Sequence, residues 1–219
     1  MKVLTYTPGW GISTVAHIQG NPQCLAKNLA ALMHRSPNVA KAISNVKSFS
    51  TNCHEFFESR DGSLCVRINI QGKLRLLCSA VDPKAEAELL LKRVDVLDCA
   101  AIVVRGFGAG HHVEAITRRM GRQGAVFVFE PDIELLRGVL ERVDISSSLS
   151  TCPVTFMTDA GDGSAMASAV QGLEGLVAIG TQIVDHPPSR LRLSTDSGAF
   201  IEGFTHIIKS VRTNITVSY

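Results

Sequence analysis

The stretch Ala100-Ala101-Ile102-Val103-Val104-Arg105-Gly106-Phe107-Gly108-Ala109-Gly110-His111-His112 sets an apolar run against three glycines at alternate positions. A run without polar interruption is what a parallel strand buried on both faces requires. The glycines let backbone approach a ligand closely, and the helix predicted over residues 112–120 would aim its first amides at that ligand. The spacing is G-x-G-x-G; the dinucleotide fingerprint, G-x-G-x-x-G, places its third glycine one residue later.

Downstream of the loop, strand and helix alternate. Residues 125–129 read as a second buried strand, and 131–143 as an amphipathic helix carrying Ile133, Leu135, Leu136, Val139 and Leu140. A third strand over 154–157, a helix over 164–173, a fourth strand over 176–184 and a closing helix over 191–211 complete the series. Just upstream, Asp82-Pro83 caps a helix with Leu89, Leu90, Val94 and Leu97. Such alternation predicts an α/β fold, a Rossmann-like, doubly wound and mostly parallel sheet.

Before residue 81 the pattern is different. Residues 21–46 read as two short helices, with Leu25, Leu29, Leu32 and Met33 at helical spacing, and Ser36-Pro37 supplies a cap and first-turn proline for the second. Strand-like pieces follow at Phe56-Phe57, 64–70 and 74–78, separated by Arg60-Asp61-Gly62 and Gln71-Gly72-Lys73. Val66, Ile68 and Ile70 alternate with Arg67 and Asn69, the period of a half-buried strand, so an antiparallel meander is expected. The expected division is a helix pair with a meander over 1–80 and a Rossmann-like, methyltransferase-type domain over 81–219.

Composition narrows the function classes. With 219 residues, 45% hydrophobic and 19% charged, and a mean hydropathy of +0.17, the chain does not have the make-up of a disordered one. A net charge of +2 supplies no field to draw nucleic acid or a membrane surface, and 5% aromatics argue against a base-stacking platform. Neither nucleic acid nor membrane is expected as a partner. The six cysteines, at 24, 53, 65, 78, 99 and 152, include no C-x-x-C pair. Cys65, Cys78 and Cys99 stand in apolar contexts, so reduced thiols are expected. The opening MKVLTYTPGWG lacks the apolar core of a signal peptide, and a cytoplasmic location is expected.

Several chemistries fail on their motifs. Gly161-Asp162-Gly163-Ser164 is not a nucleophile elbow, and no Gly-Lys-Ser/Thr string provides a P-loop. No H-E-x-x-H accompanies His111-His112, so no metal site is expected, and no residue is assigned a catalytic role. What remains is a crevice at the carboxyl ends of the strands. Gly106, Gly108, Gly110 and His111 form its loop. Glu130, at the end of the second strand, is placed to accept bonds from ribose hydroxyls, and Asp159-Ala160 overhangs from the third. Helix capping by Glu130 or Asp132 and ordinary turn chemistry at Asp159 are the alternatives.

Together these positions resemble the adenosylmethionine-dependent methyltransferases, over about residues 100–185. The resemblance implies the glycine loop for the methionine part, Glu130 for the ribose and Asp159-Ala160 for the adenine. It departs at Val104, where that family usually carries an acidic residue.

The full ordering looks like something narrower. Asn28-Leu29 and Pro37, then Ser79-Ala80-Val81-Asp82-Pro83, Gly106-Phe107-Gly108-Ala109-Gly110-His111-His112, Phe129-Glu130-Pro131-Asp132 and His186-Pro187 resemble the amino-terminal domain of the motility accessory factor family. Those bacterial proteins transfer nonulosonic acids onto flagellin, and relatives resemble hydroxymethylpterin pyrophosphokinases. The resemblance implies an accessory domain whose partner is a C-terminal catalytic domain of the same longer protein, opened by a Gly-Pro-Ser-Leu type loop absent here. The alternative expectations are an adenosylmethionine-dependent methyltransferase, or a nucleotide or sugar-nucleotide-binding module using the same crevice.

Overall fold

The computed structural model describes residues 16–47, 53–92, 94 and 98–217. The opening MKVLTYTPGWG and Leu97, both read above, lie outside the described residues.

Helices α1 (Pro22–Leu32) and α2 (Pro37–Asn45) come first. Asn21 caps α1 by accepting the Gln23 amide at 2.9 Å. Ser36 stands at the start of α2 as expected but does not cap it: its hydroxyl accepts the Phe156 amide at 2.8 Å, a bond to a distant strand. The meander forms in the order β1 (His54–Glu58), β2 (Leu64–Ile70) and β3 (Lys73–Leu76), antiparallel throughout. The expected third strand over 74–78 ends at Leu76. Leu77 still donates to the Val66 carbonyl at 2.8 Å before the chain turns to α3 (Pro83–Leu91), which Asp82 caps through the Ala85 amide.

Next come β4 (Ala101–Arg105), α4 (His111–Met120), β5 (Ala125–Phe129), α5 (Ile133–Leu140), α6 (Ser146–Thr151) and β6 (Val154–Met157). After these the chain forms α7 (Gly163–Val170), α8 (Glu174–Ile179), β7 (Thr181–Asp185) and α9 (Asp196–Val217). All pairings in the second sheet are parallel, in the order β6-β5-β4-β7. The predicted fourth strand over 176–184 is corrected: its first half is α8. Gly180 then lies so close to residue 98 that an added Cβ would stand 2.4 Å from the Asp98 carbonyl oxygen. Only the second half pairs with β4.

Alternating strand residues feed two cores. Ile102, Val104, Val126, Val128 and Phe156 face one side, where α1, α2, α4, α5 and the meander cover them. Ala101, Val103, Phe127 and Phe129 face the other, covered by α7, α8 and α9. Burial on both faces is the physical reason the central strands are apolar at every position up to Arg105, which ends β4. Leu25, Ile43, Phe57 and Val66 belong to the same apolar cluster as Ile102 and Val104, so the helix pair and the meander pack directly onto the sheet.

One polar side chain joins these parts. Asn28 is fully buried in α1 and donates to the Leu140 and Val143 carbonyls at 2.8 and 2.7 Å, while its oxygen accepts the Ile145 amide at 3.0 Å. It thereby satisfies carbonyls left open where α5 ends. Among the described residues no helix is long and apolar enough to cross a membrane.

Candidate functional site

The strand order reverses between β4 and β7, so their carboxyl ends form the switch point at which open α/β sheets bind ligands. The glycine loop lies there. Gly106, Gly108 and Gly110 all have positive φ, 95°, 53° and 88°, a region costly for residues with a Cβ. The loop is also crowded. A Cβ on Gly106 would lie 2.5 Å from the Ser189 Cβ, one on Gly108 2.5 Å from the His186 Cε1, and one on Gly110 2.9 Å from the Phe107 ring. The close approach that glycine permits is therefore made by the chain's own turn after β7.

Glu130 is completely buried beneath this loop. One carboxylate oxygen accepts the Phe107 amide at 2.9 Å and the other the Asp132 amide at 3.1 Å. Arg192 grips both, its Nη1 at 2.7 Å from Oε1 and its Nη2 on Oε2. Such a two-pronged bond is the geometry in which guanidinium and carboxylate bind most strongly. Helix capping of α5 falls to Asp132, which accepts the Leu135 amide at 2.8 Å.

Arg192 also donates to the Ser189 hydroxyl at 3.1 Å. That leaves the Ser189 proton for His186 Nδ1, 2.8 Å away, so neutral His186 carries its own proton on Nε2. His112 is held in the same tautomer: Nε2 donates to the Gly106 carbonyl at 2.9 Å, leaving Nδ1 as an acceptor. The two imidazoles stack with centroids 4.1 Å apart and planes 4° from parallel. Burial holds His112 down to about 4, and burial first, then His112 and Arg192, hold His186 well below the usual histidine value. Both rings are neutral at pH 7.

These rings, with Cys78, His111, Leu90 and Pro187 among others, line a cavity of about 170 Å³. His111 donates from Nε2 to the Leu64 carbonyl at 2.7 Å and lines the cavity beside the Cys78 thiol. Burial opposes its protonation, but the bonds to Cys78 and Leu64 outweigh burial and raise its pKa.

A wider cleft of about 770 Å³ opens between the meander and the sheet, bounded by His54, Asp132, Glu134, Arg192, Ser194 and Thr195 among others. His54 Nε2 lies 2.7 Å from Asp132. Burial pushes Asp132 up, yet the bond and charge of His54 outweigh it and hold Asp132 below the ordinary carboxylate range. The volume falls within the range of small-molecule pockets.

The sequence-derived positions thus separate. Gly106, Gly108, Gly110, His111 and Glu130 converge at the switch point. Asp159 stands exposed after β6, where its carboxylate accepts the Gly161 amide at 2.8 Å; Asp159 and the half-buried Ala160 line neither cavity nor cleft. Arg105, beside the loop, pairs with Asp185 at the matching position of β7. Among the described residues no three His, Cys, Asp or Glu side chains form a metal-binding group. Sequence reasoning missed Arg192, Ser189 and the stacking of His186 on His112. One signal was available: a carboxylate at the end of an entirely apolar strand needs a cation, and Arg190-Leu191-Arg192 follows the next strand of the switch point.

No protein-family profile matches the chain, and no curated protein matches it in sequence. Among solved structures it is similar to that of MAf glycosyltransferase from Magnetospirillum magneticum AMB-1, with a TM-score of 0.52 and 14% identity. The match covers 85% of this chain and 35% of the other, so the chain spans about a third of that enzyme's length. At that identity the likeness is one of fold.

Proposed function

We propose that this chain is a Rossmann-like accessory domain of a glycosyltransferase of the MAf kind, serving protein glycosylation with nonulosonic acids. In this reading the transfer itself belongs to a separate catalytic domain of the same longer protein. The observation that carries the proposal is the closure of the switch point from within. His186 and Ser189 stand against Gly108 and Gly106, and Arg192 and the Phe107 amide take up the Glu130 carboxylate that would otherwise reach a ribose. The shared fold with a glycosyltransferase, over 35% of that enzyme, supports it further.

Calorimetric titration of the chain with adenosylhomocysteine and with a nucleotide-activated nonulosonic acid tests this reading. No saturable heat is expected from either at millimolar concentration. A one-to-one isotherm that disappears in Glu130→Gln overturns the reading and makes the glycine loop a cofactor site.

The cleft at His54, Asp132 and Arg192 favours a second reading, a nucleotide or sugar-nucleotide-binding module. Ligand that binds only the folded state raises the melting temperature. A nucleotide-dependent rise that Asp132→Asn removes while Glu130→Gln retains it would select this second reading.

A further inference from the structure

Cys65 and Cys78 face each other across the meander. The register of β2 and β3 pairs Arg67 with Leu76, and the Leu77 amide continues it to Val66. One step further brings Cys65 opposite Cys78, and their sulfurs lie 3.5 Å apart. Residues directly opposite in an antiparallel pair hold their Cα atoms at about 4.5–5.5 Å, inside the span that a disulfide bridges. Neither thiol faces bulk solvent: Cys65 is fully buried and Cys78 nearly so. Cys78 nonetheless lines the cavity of about 170 Å³, well above the ~10–15 Å³ that one water needs and ample for a small neutral oxidant.

We propose that Cys65 and Cys78 form a redox-active pair that closes to a disulfide when hydrogen peroxide enters the cavity beside His111. The imidazole is set up for the first step. His111 Nε2 donates to the Leu64 carbonyl, so in the neutral ring Nδ1 is free of hydrogen, and the imidazole lines the same cavity as Cys78. Cys78 sulfur attacks one peroxide oxygen as its proton passes to His111; the S–O bond forms and the O–O bond breaks. The departing hydroxide takes that proton and leaves as water. Cys65 then attacks the sulfenic sulfur of Cys78, and the second hydroxide leaves with the Cys65 proton as a second water. Two thiols and one peroxide become one disulfide and two waters, and a dithiol reductant reverses the change.

The order of events follows from position: the cavity reaches Cys78, and Cys65 lies behind it. Cys78 donates its thiol hydrogen to Cys65, and that bond and burial both raise Cys78, so the first step is slow beside that of a solvent-exposed thiolate. This inference is independent of the accessory-domain reading.

The experiment uses the chain with Cys53→Ser, which removes the exposed thiol that would link two copies. Micromolar hydrogen peroxide, quenching and tryptic mass mapping under non-reducing conditions are expected to yield a peptide pair joined through Cys65 and Cys78. The joined pair should be two hydrogen masses lighter than its parts, and dithiothreitol should release it. The melting temperature of the oxidised form should rise by on the order of 5 °C, since the bridge constrains the unfolded chain. His111→Gln should slow formation about tenfold while leaving the reduced protein folded by circular dichroism. Sulfinic acid at Cys78 with no linked peptide, in protein that remains folded, overturns the proposal. So does linkage at an unchanged rate in His111→Gln.

Discussion

Arg192 closes two guanidinium nitrogens on the carboxylate of Glu130, a residue with no solvent exposure at all. A buried pair of this kind stabilises little relative to an apolar replacement, but removing one partner strands a charge. Arg192→Met should therefore destabilise the fold by about 3–5 kcal/mol, and Arg192→Met with Glu130→Leu by much less. Urea unfolding of both variants checks this. Equal losses would mean that the pair is not coupled.

Gly108 combines a left-handed backbone with a ring 2.5 Å from where a Cβ would stand. A left-handed non-glycine residue costs about 1–2 kcal/mol, and the displaced His186 ring adds to that. Gly108→Ala should lower stability by about 2–4 kcal/mol, read as a drop in melting temperature. Gly72→Ala is the control, because φ there is also positive but nothing stands within 4 Å. Its smaller loss isolates the contribution of packing.

Acid should weaken the protein through His112. Its value falls from 6.5 to about 4 on folding because burial disfavours the charged ring. Below pH 6.5 the unfolded chain takes up a proton that the folded chain refuses until about pH 4. Stability is thus full above that window and falls across it, by about 3 kcal/mol for this group. His186 acts in the same sense, whereas His111, raised on folding, adds stability that is lost as pH climbs through its folded value. Urea midpoints between pH 7 and 4.5, with an imidazole titration by NMR, measure both effects. A His112 midpoint at 6 or above would contradict this account.

Gly138, inside α5, sets two effects against each other. Alanine there gains about 1 kcal/mol of helix propensity. Its Cβ, however, would fall 2.0 Å from the Phe56 ring, which is itself held under the Arg142 guanidinium at 4.3 Å. Overpacking costs about 1–3 kcal/mol, so Gly138→Ala is expected to be net destabilising. A melting temperature above that of the parent chain would show that the ring yields.

How far the sequence could be read follows from the range of the forces involved. The strands over residues 125–129 and 154–157 were legible to the residue, because burial on both faces leaves them apolar at every position but the buried Thr155. The helix Ser146–Thr151 was not, since four of its six residues are serine and its packing against α1 leaves no apolar period. Residues 176–179 are as apolar as a strand, and only the tight contact of Gly180 with the segment at Asp98 divides helix from strand there. At the site, Glu130 was legible as an acid at a strand end. Its partner lies 62 residues further on, beyond a Pro-Pro turn that read only as a stop.

The Asn28 side chain has a bearing on how the molecule assembles. Its three bonds to Leu140, Val143 and Ile145 span 112 to 117 residues, and the Ser36 bond to Phe156 spans 120. During synthesis α1 and α2 emerge before the groups that fix them, which are made 112 to 120 residues later. Helices of 11 and 9 residues are marginal alone in water. These two helices therefore settle only after the much later segments that hold them, and the loop closures that bind them make for slow folding.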